Sequence, residues 1–87
     1  MLRIVRSLDA GATILTVSGR IGAEQLPELR RSVEEAHGQD VVLDLVELGL
    51  VDVEAVRFLL QCEAQGVRIS GCPAYVRAWM AREKLPP

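Results

Sequence analysis

The residues of this chain that could support catalysis are few, and two of them lie together at one turn. Asp52 and Glu54 follow an apolar stretch, and paired carboxylates can act as a general acid and base when they face each other. Here they stand two residues apart at the start of a predicted helix, so their side chains diverge. Ser18 and Ser32 have no neighbouring His or Lys in sequence that could activate a hydroxyl. The sequence therefore predicts a protein that is not an enzyme.

The sequence also gives little indication of a metal or cofactor site. His37 is the single histidine, and it stands beside the predicted end of a helix with no partner ligand in sight. Cys62 and Cys72 do not have zinc-site spacing, so we expect two buried, reduced thiols that act as small hydrophobic residues. Aromatic residues make up only 3% of the chain, and a domain this small leaves little room for a deep cavity. No cofactor and no metal are predicted.

Length and charge exclude further classes. The 87 residues predict one domain over 1–87, and a net charge of −2 argues against nucleic-acid binding. No apolar run reaches the roughly 18 residues that a membrane-spanning helix needs. The first residues alternate and carry charge where a signal peptide would be apolar. We therefore expect a cytoplasmic protein without membrane insertion.

The first half of the chain predicts a hairpin and a helix. Residues 2–7 and 12–18 read as β-branched-rich strands, and the Asp9-Ala10-Gly11 stretch between them is typical of a tight turn. A helix is predicted over 26–37, because Pro27 suits a first helical position and apolar residues recur on one face. Gly38 suits the position that follows the helix.

The second half predicts two further strands, each followed by a helix. Residues 41–45 form a nearly continuous apolar strand, and a short turn leads to Asp52, a good N-cap for a helix that Gly66 ends. This helix is apolar over most of its circumference. Its polar residues form one narrow stripe: Glu54, Arg57, Gln61 and Gln65. A strand over 67–70 and a helix over 73–84 follow, with Trp79 as a packing residue.

The resulting order is β-β-α-β-α-β-α, an α/β fold with a mixed sheet of about four strands and helices packed on it. Four blocks in this order resemble STAS domains, the fold of anti-sigma factor antagonists. The blocks are Thr16-Val17-Ser18-Gly19-Arg20-Ile21, Leu26-Pro27-Glu28-Leu29-Arg30, Val41 to Leu45 with Leu50-Val51-Asp52, and Gly66 to Pro73. The resemblance implies the STAS fold over about the first 84 residues.

The chain departs from the family pattern at the turn that usually carries a phosphorylation switch. In the family the helix opens with Asp-Ser-Ser/Thr-Gly, and the first hydroxyl is phosphorylated. Asp52 matches the acidic residue, but Val53 stands at the Ser position, Glu54 at the second hydroxyl and Ala55 at the Gly. No Ser, Thr or Tyr occurs over 46–60, so we expect no phosphorylation there. Glu54 either mimics a phosphate or simply stabilises the first helical turn.

The resemblance implies a non-enzymatic interaction module. Family partners dock on the switch turn and the exposed part of the following helix. That surface corresponds here to Leu50, Asp52, Val53, Glu54, Arg57 and Gln61. The implied partner is an anti-sigma factor kinase or, if the chain is an accessory subunit, the ATPase of a membrane transporter. A homodimer and the binding of a small ligand, a nucleotide or a lipid, remain alternatives.

Overall fold

A two-residue turn reverses the chain between the first two strands. In the computed structural model, β1 (Leu2–Asp9) pairs antiparallel with β2 (Ala12–Ile21) in one unbroken register. Ala10 and Gly11 have φ angles of 52° and 83°, as in a type I′ turn, whose twist matches that of the strands it joins. The predicted hairpin is confirmed, and both strands continue beyond the residues that their pattern indicated.

The structure describes residues 2–36 and 40–84. After the hairpin, its elements are α1 (Leu26–Glu35), β3 (Asp40–Asp44), β4 (Leu48–Val51), α2 (Val53–Ala64), β5 (Arg68–Ser70) and α3 (Ala74–Lys84). Pro27 lies in the first turn of α1, as expected, and that helix ends at Glu35 rather than at residue 37. His37 and Gly38, which were expected at its end, lie outside the described residues.

The sheet is mixed, with the strand order β1-β2-β3-β5. β3 runs parallel to β2, and β5 runs parallel to β3. β4 is a further strand that pairs parallel with the last residues of β2, beyond the end of β3. The α/β class and the mixed sheet with packed helices are confirmed. β4 was not expected, because its segment reads as a short turn that contains Gly49.

The two faces of the sheet differ in burial. Leu15 and Val17 of β2 and Leu43 of β3 are almost fully buried, and the helices pack against this face. The residues between them, such as Ile14 and Thr16, are only half-buried and point to the other side, which we call the open face. Residues that are opposite each other in the strand register share a face.

α2 is the most deeply packed helix. Its buried residues are Ala55, Val56, Phe58, Leu59 and Cys62. All four residues of the predicted polar stripe are exposed, so this prediction is confirmed. Trp79 of α3 packs partly buried against the core, as expected. The cysteines are both free, but only Cys62 is buried, whereas Cys72 in the loop after β5 is half-buried.

Candidate functional site

The carboxylate of Asp52 connects the start of α2 to the loop that follows β2. Its Oδ1 accepts a hydrogen bond from the N–H of Ala55 at 2.9 Å, which confirms the predicted N-cap. Its Oδ2 accepts one from the N–H of Ala23, also at 2.9 Å. The bond from Ala55 lowers the pKa of Asp52 below its ordinary value of 3.8, against an opposing effect of desolvation. The N–H groups of Ala23 and Glu54 and the charge of Arg20 lower that pKa further. Asp52 is thus an ionised structural link between two loops.

A β-bulge in β4 turns Leu50 toward the open face. Gly19 of β2 lies opposite Leu48, and the next β2 residue, Arg20, lies opposite Leu50. Gly49 is therefore an extra residue in β4 with no partner in β2. Because successive β2 residues point to opposite faces, Leu48 and Leu50 do so as well. Leu48 is buried, whereas Leu50 is 65% exposed. In a strand without the bulge, the two leucines would share the buried face.

Leu50 is one of three exposed apolar residues around β4. Val46, in the turn before β4, is 66% exposed, and Tyr75, in the first turn of α3, is 47% exposed. The Tyr75 hydroxyl donates a hydrogen bond to the carbonyl oxygen of Gly49. The Val46 side chain occupies the space that a Cβ atom at Gly71 would need. We call Val46, Leu50 and Tyr75 the β4 cluster.

The polar stripe of α2 is held in place by ion pairs. Arg57 contacts the carboxylate of Glu54 at 3.4 Å and that of Glu83 in α3 at 3.1 Å. More than half of the Arg57 side chain is exposed, so each pair contributes little to stability. The stripe continues to Gln61, which is exposed. Glu54 therefore presents a partly neutralised charge, which supports its interpretation as a first-turn residue more than as a phosphate mimic.

A shallow cleft of about 470 Å³ lies between the loop after β2 and the start of α2. Its lining is Arg20, Gly22, Ala23, Glu24, Gln25 and Asp52. One arginine faces two acidic residues there, and both oxygens of Asp52 already accept backbone hydrogen bonds. A cleft with more acidic than basic side chains is not suited to bind a phosphate. Within residues 2–36 and 40–84, no group of three His, Cys, Asp or Glu side chains is placed to hold a metal ion.

The fold agrees with the comparison to known families. A family model described as "Mlab, STAS domain" matches residues 4–85, almost the whole chain. The chain belongs to the STAS domain family. No curated protein sequence matches this STAS domain significantly. None of the helices in its described part is long and apolar enough to cross a membrane.

Family membership defines the general type of this STAS domain. It is an anti-sigma factor antagonist-like module, and STAS domains are generally non-enzymatic regulators that interact with protein partners. Val53, which we expect at the position of the usual phosphorylated Ser, is half-buried in the first turn of α2, and Ala55 is buried. The loss of the switch and the identity of the docking residues remain predictions.

The structure places the residues predicted for docking in two groups. Leu50 lies on the open face, whereas Glu54, Arg57 and Gln61 lie on the outer side of α2, beyond the opposite face. Along the chain the two groups are joined at the edge of the sheet where β4 leads into α2. Asp52 and Val53 form this junction.

Sequence reasoning missed two members of the β4 cluster. Val46 gave a weak signal, because an apolar residue in a predicted turn has no obvious structural role. Tyr75 gave none, since its contact with Gly49 joins residues 26 positions apart.

Proposed function

We propose that this STAS domain is a non-enzymatic docking module that binds its protein partner without a phosphorylation switch. The partner is an ATP-binding protein of one of the two types known for the family, an anti-sigma factor kinase or the ATPase subunit of a transporter. The two free thiols support a reducing compartment, and we assign the domain to the cytoplasm.

The observation that carries the proposal is the β4 cluster. Large exposed apolar residues in and beside one short strand are typical of protein-binding surfaces, where a few such anchors supply most of the affinity. Leu50 and Val46 are each about two-thirds exposed, so a partner that covers them gains hydrophobic free energy at once. Tyr75 adds a ring whose hydroxyl is already hydrogen-bonded within the domain.

The surroundings of the cluster are suited to specific binding. The hydrogen bonds of Asp52 fix the start of α2 relative to the loop after β2, so this edge is organised before binding. Glu54 and Arg57 form a polar border of the surface beyond the junction at Asp52 and Val53, where a reversed charge would be placed against a like charge of the partner and oppose binding. Since neither Val53 nor Glu54 carries a hydroxyl, we expect binding to be constitutive.

The experiment compares capture of native-cell proteins by the immobilised wild type and by Leu50→Asp. We expect Leu50→Asp to lower retention of the partner at least tenfold, which corresponds to about 1.4 kcal/mol or more. Leu8→Asp is the matched control, because it makes the same change at a leucine of β1 that is 75% exposed. Mass spectrometry should identify the retained protein as an ATP-binding protein of one of the two types.

A second pair of variants tests the polar border. Glu54→Lys should abolish capture while leaving thermal stability nearly unchanged, and Glu35→Lys, the same change on α1, should have no effect on capture. Treatment of the wild type with phosphatase should not alter retention. If Leu50→Asp and Glu54→Lys retain the same proteins as the wild type, the proposed surface is wrong.

A further inference from the structure

The long outer edge of the sheet at β1 has no described strand paired with it. Among the described residues β1 pairs only with β2, so the other side of its backbone carries unpaired N–H and C=O groups. β1 is eight residues long and regular. It contains no proline and no bulge, either of which would hinder pairing with another strand. It also carries two exposed apolar residues, Val5 and Leu8, which are 45% and 75% exposed. Such an edge is a template for a further strand.

A second copy of β1 fits this edge in a limited number of registers. Two identical strands related by a two-fold axis pair antiparallel. Side chains that are opposite each other must share a face, so odd positions must pair with odd ones and even positions with even ones. The sum of two opposed residue numbers is therefore even. This condition excludes the register that would place Arg3 directly against Arg6.

The remaining registers differ in what they oppose. With the two-fold axis at Arg6, two arginines of the same face meet, which is unfavourable. With the axis at Ile4, or at Ser7, only five residues of each strand overlap, and the axis at Ile4 leaves Leu8 unpaired.

With the axis at Val5, residues 2–8 of both copies pair without opposing any two like charges. Val5 then faces the Val5 of the other copy, and Leu8 faces Leu2. Arg3 faces Ser7 and lies diagonal to Asp9, within reach of its long side chain. This register covers both exposed apolar residues of the edge.

We propose that this edge is a homodimer interface, in which β1 pairs antiparallel with β1 of a second copy about a two-fold axis at Val5. The pairing extends the sheet through both copies and keeps both helix layers on one side. It leaves the β4 cluster of each copy free, because β4 lies beyond the opposite side of β2. The proposal is independent of the docking function described above.

The oligomeric state in solution tests the proposal directly. A single strand pair is a small interface, so we expect a dissociation constant on the order of 10 to 100 micromolar by sedimentation equilibrium. Val5→Lys places two ammonium groups against each other and should shift the protein to monomer. Leu50→Lys, the matched control at an exposed leucine of β4, should dimerise like the wild type. A wild type that stays monomeric at 1 millimolar, about ten times the upper bound, overturns the proposal.

Single cysteines distinguish the registers. In the proposed dimer the two Cα atoms of residue 5 are about 5 Å apart, within the range for a disulfide, so Val5→Cys should oxidise to a covalent dimer. The Ser7 positions are offset by four residues, about 13 Å, so Ser7→Cys should remain uncross-linked. Efficient cross-linking of Arg6→Cys or Ser7→Cys, but not of Val5→Cys, would show that the register is wrong. A dimer that persists in Val5→Lys would show that the interface lies elsewhere.

Discussion

β1 and β4 both have a side that no other described strand pairs with, but the two edges differ in length, regularity and covering. β1 is long and regular, and its outer side is open. β4 has four residues and a bulge at Gly49, whose carbonyl oxygen is bound by the Tyr75 hydroxyl. Short length, a bulge and a covering side chain all hinder strand addition. The difference indicates two kinds of contact, strand pairing at β1 and side-chain docking at β4.

The largest expected effect comes from breaking the support of the β4 cluster at Gly71. This glycine has a φ of 67°, and a Cβ there would enter the space of the Val46 side chain. Gly71→Ala should lower the free energy of unfolding by about 2–4 kcal/mol, from backbone strain and the steric conflict together. Urea unfolding, followed by the fluorescence of the single tryptophan, Trp79, measures the loss.

Two controls separate the causes of that loss. Gly66 also has a positive φ, 94°, but nothing lies within 4 Å of the Cβ position, so Gly66→Ala should cost only about 1 kcal/mol. Adding Val46→Ala to Gly71→Ala should restore part of the stability. Equal losses for Gly71→Ala and Gly66→Ala would show that Val46 has room to move. Self-association through β1 should be unaffected in every variant that folds.

Features of the fold that depend on neighbouring residues could be predicted from the sequence. The hairpin turn at Ala10-Gly11, the N-cap Asp52 and the exposed stripe of α2 are all encoded by residues within a few positions of one another. Local turn chemistry and helical periodicity are sufficient for such features.

The β4 edge could not be predicted in this way. β4 exists because the end of β2 pairs with it across 29 residues, from Gly19 to Leu48, and its own four residues carry no strand pattern. The orientation of Leu50 depends on which residue of β2 lies opposite it, and a one-residue change of register reverses that orientation. The sequence therefore predicts that Leu50 and the polar stripe of α2 are exposed. It does not predict that they lie on opposite sides of the sheet.

Asp52 offers the second test, because it ends the β4 region and begins α2. Asp52→Ala removes the acceptor for Ala55 and the acceptor for Ala23, so it should lower the free energy of unfolding by about 1–2 kcal/mol. Asp52→Asn keeps one oxygen but turns an NH₂ group toward the other N–H, and should lose less. A loss below about 0.5 kcal/mol in Asp52→Ala, the lower end of the usual range for removal of a cap, would show that these bonds do not hold the edge together.

The pH dependence of that loss has a defined sign. Folding lowers the pKa of Asp52, so its ionised form stabilises the fold above the ordinary pKa of 3.8. This stabilisation disappears as the pH falls through the lower pKa of the folded state. The difference in free energy of unfolding between the wild type and Asp52→Asn should therefore be constant above about pH 5 and shrink at pH values below 3.8. A difference that grows on acidification would contradict the assigned pKa direction.

Tyr75→Phe has the smallest expected effect and tests how the β4 edge is closed. Tyr75→Phe removes the hydroxyl that binds Gly49, but it keeps the ring of the β4 cluster. The freed carbonyl is exposed and can bind water, so the loss in free energy of unfolding should be about 0.5–1 kcal/mol. Val5→Lys/Tyr75→Phe should stay monomeric by sedimentation, because β4 remains short and bulged. If this double variant dimerises, the Tyr75 hydroxyl is what keeps β4 from pairing, and the bulge alone is insufficient.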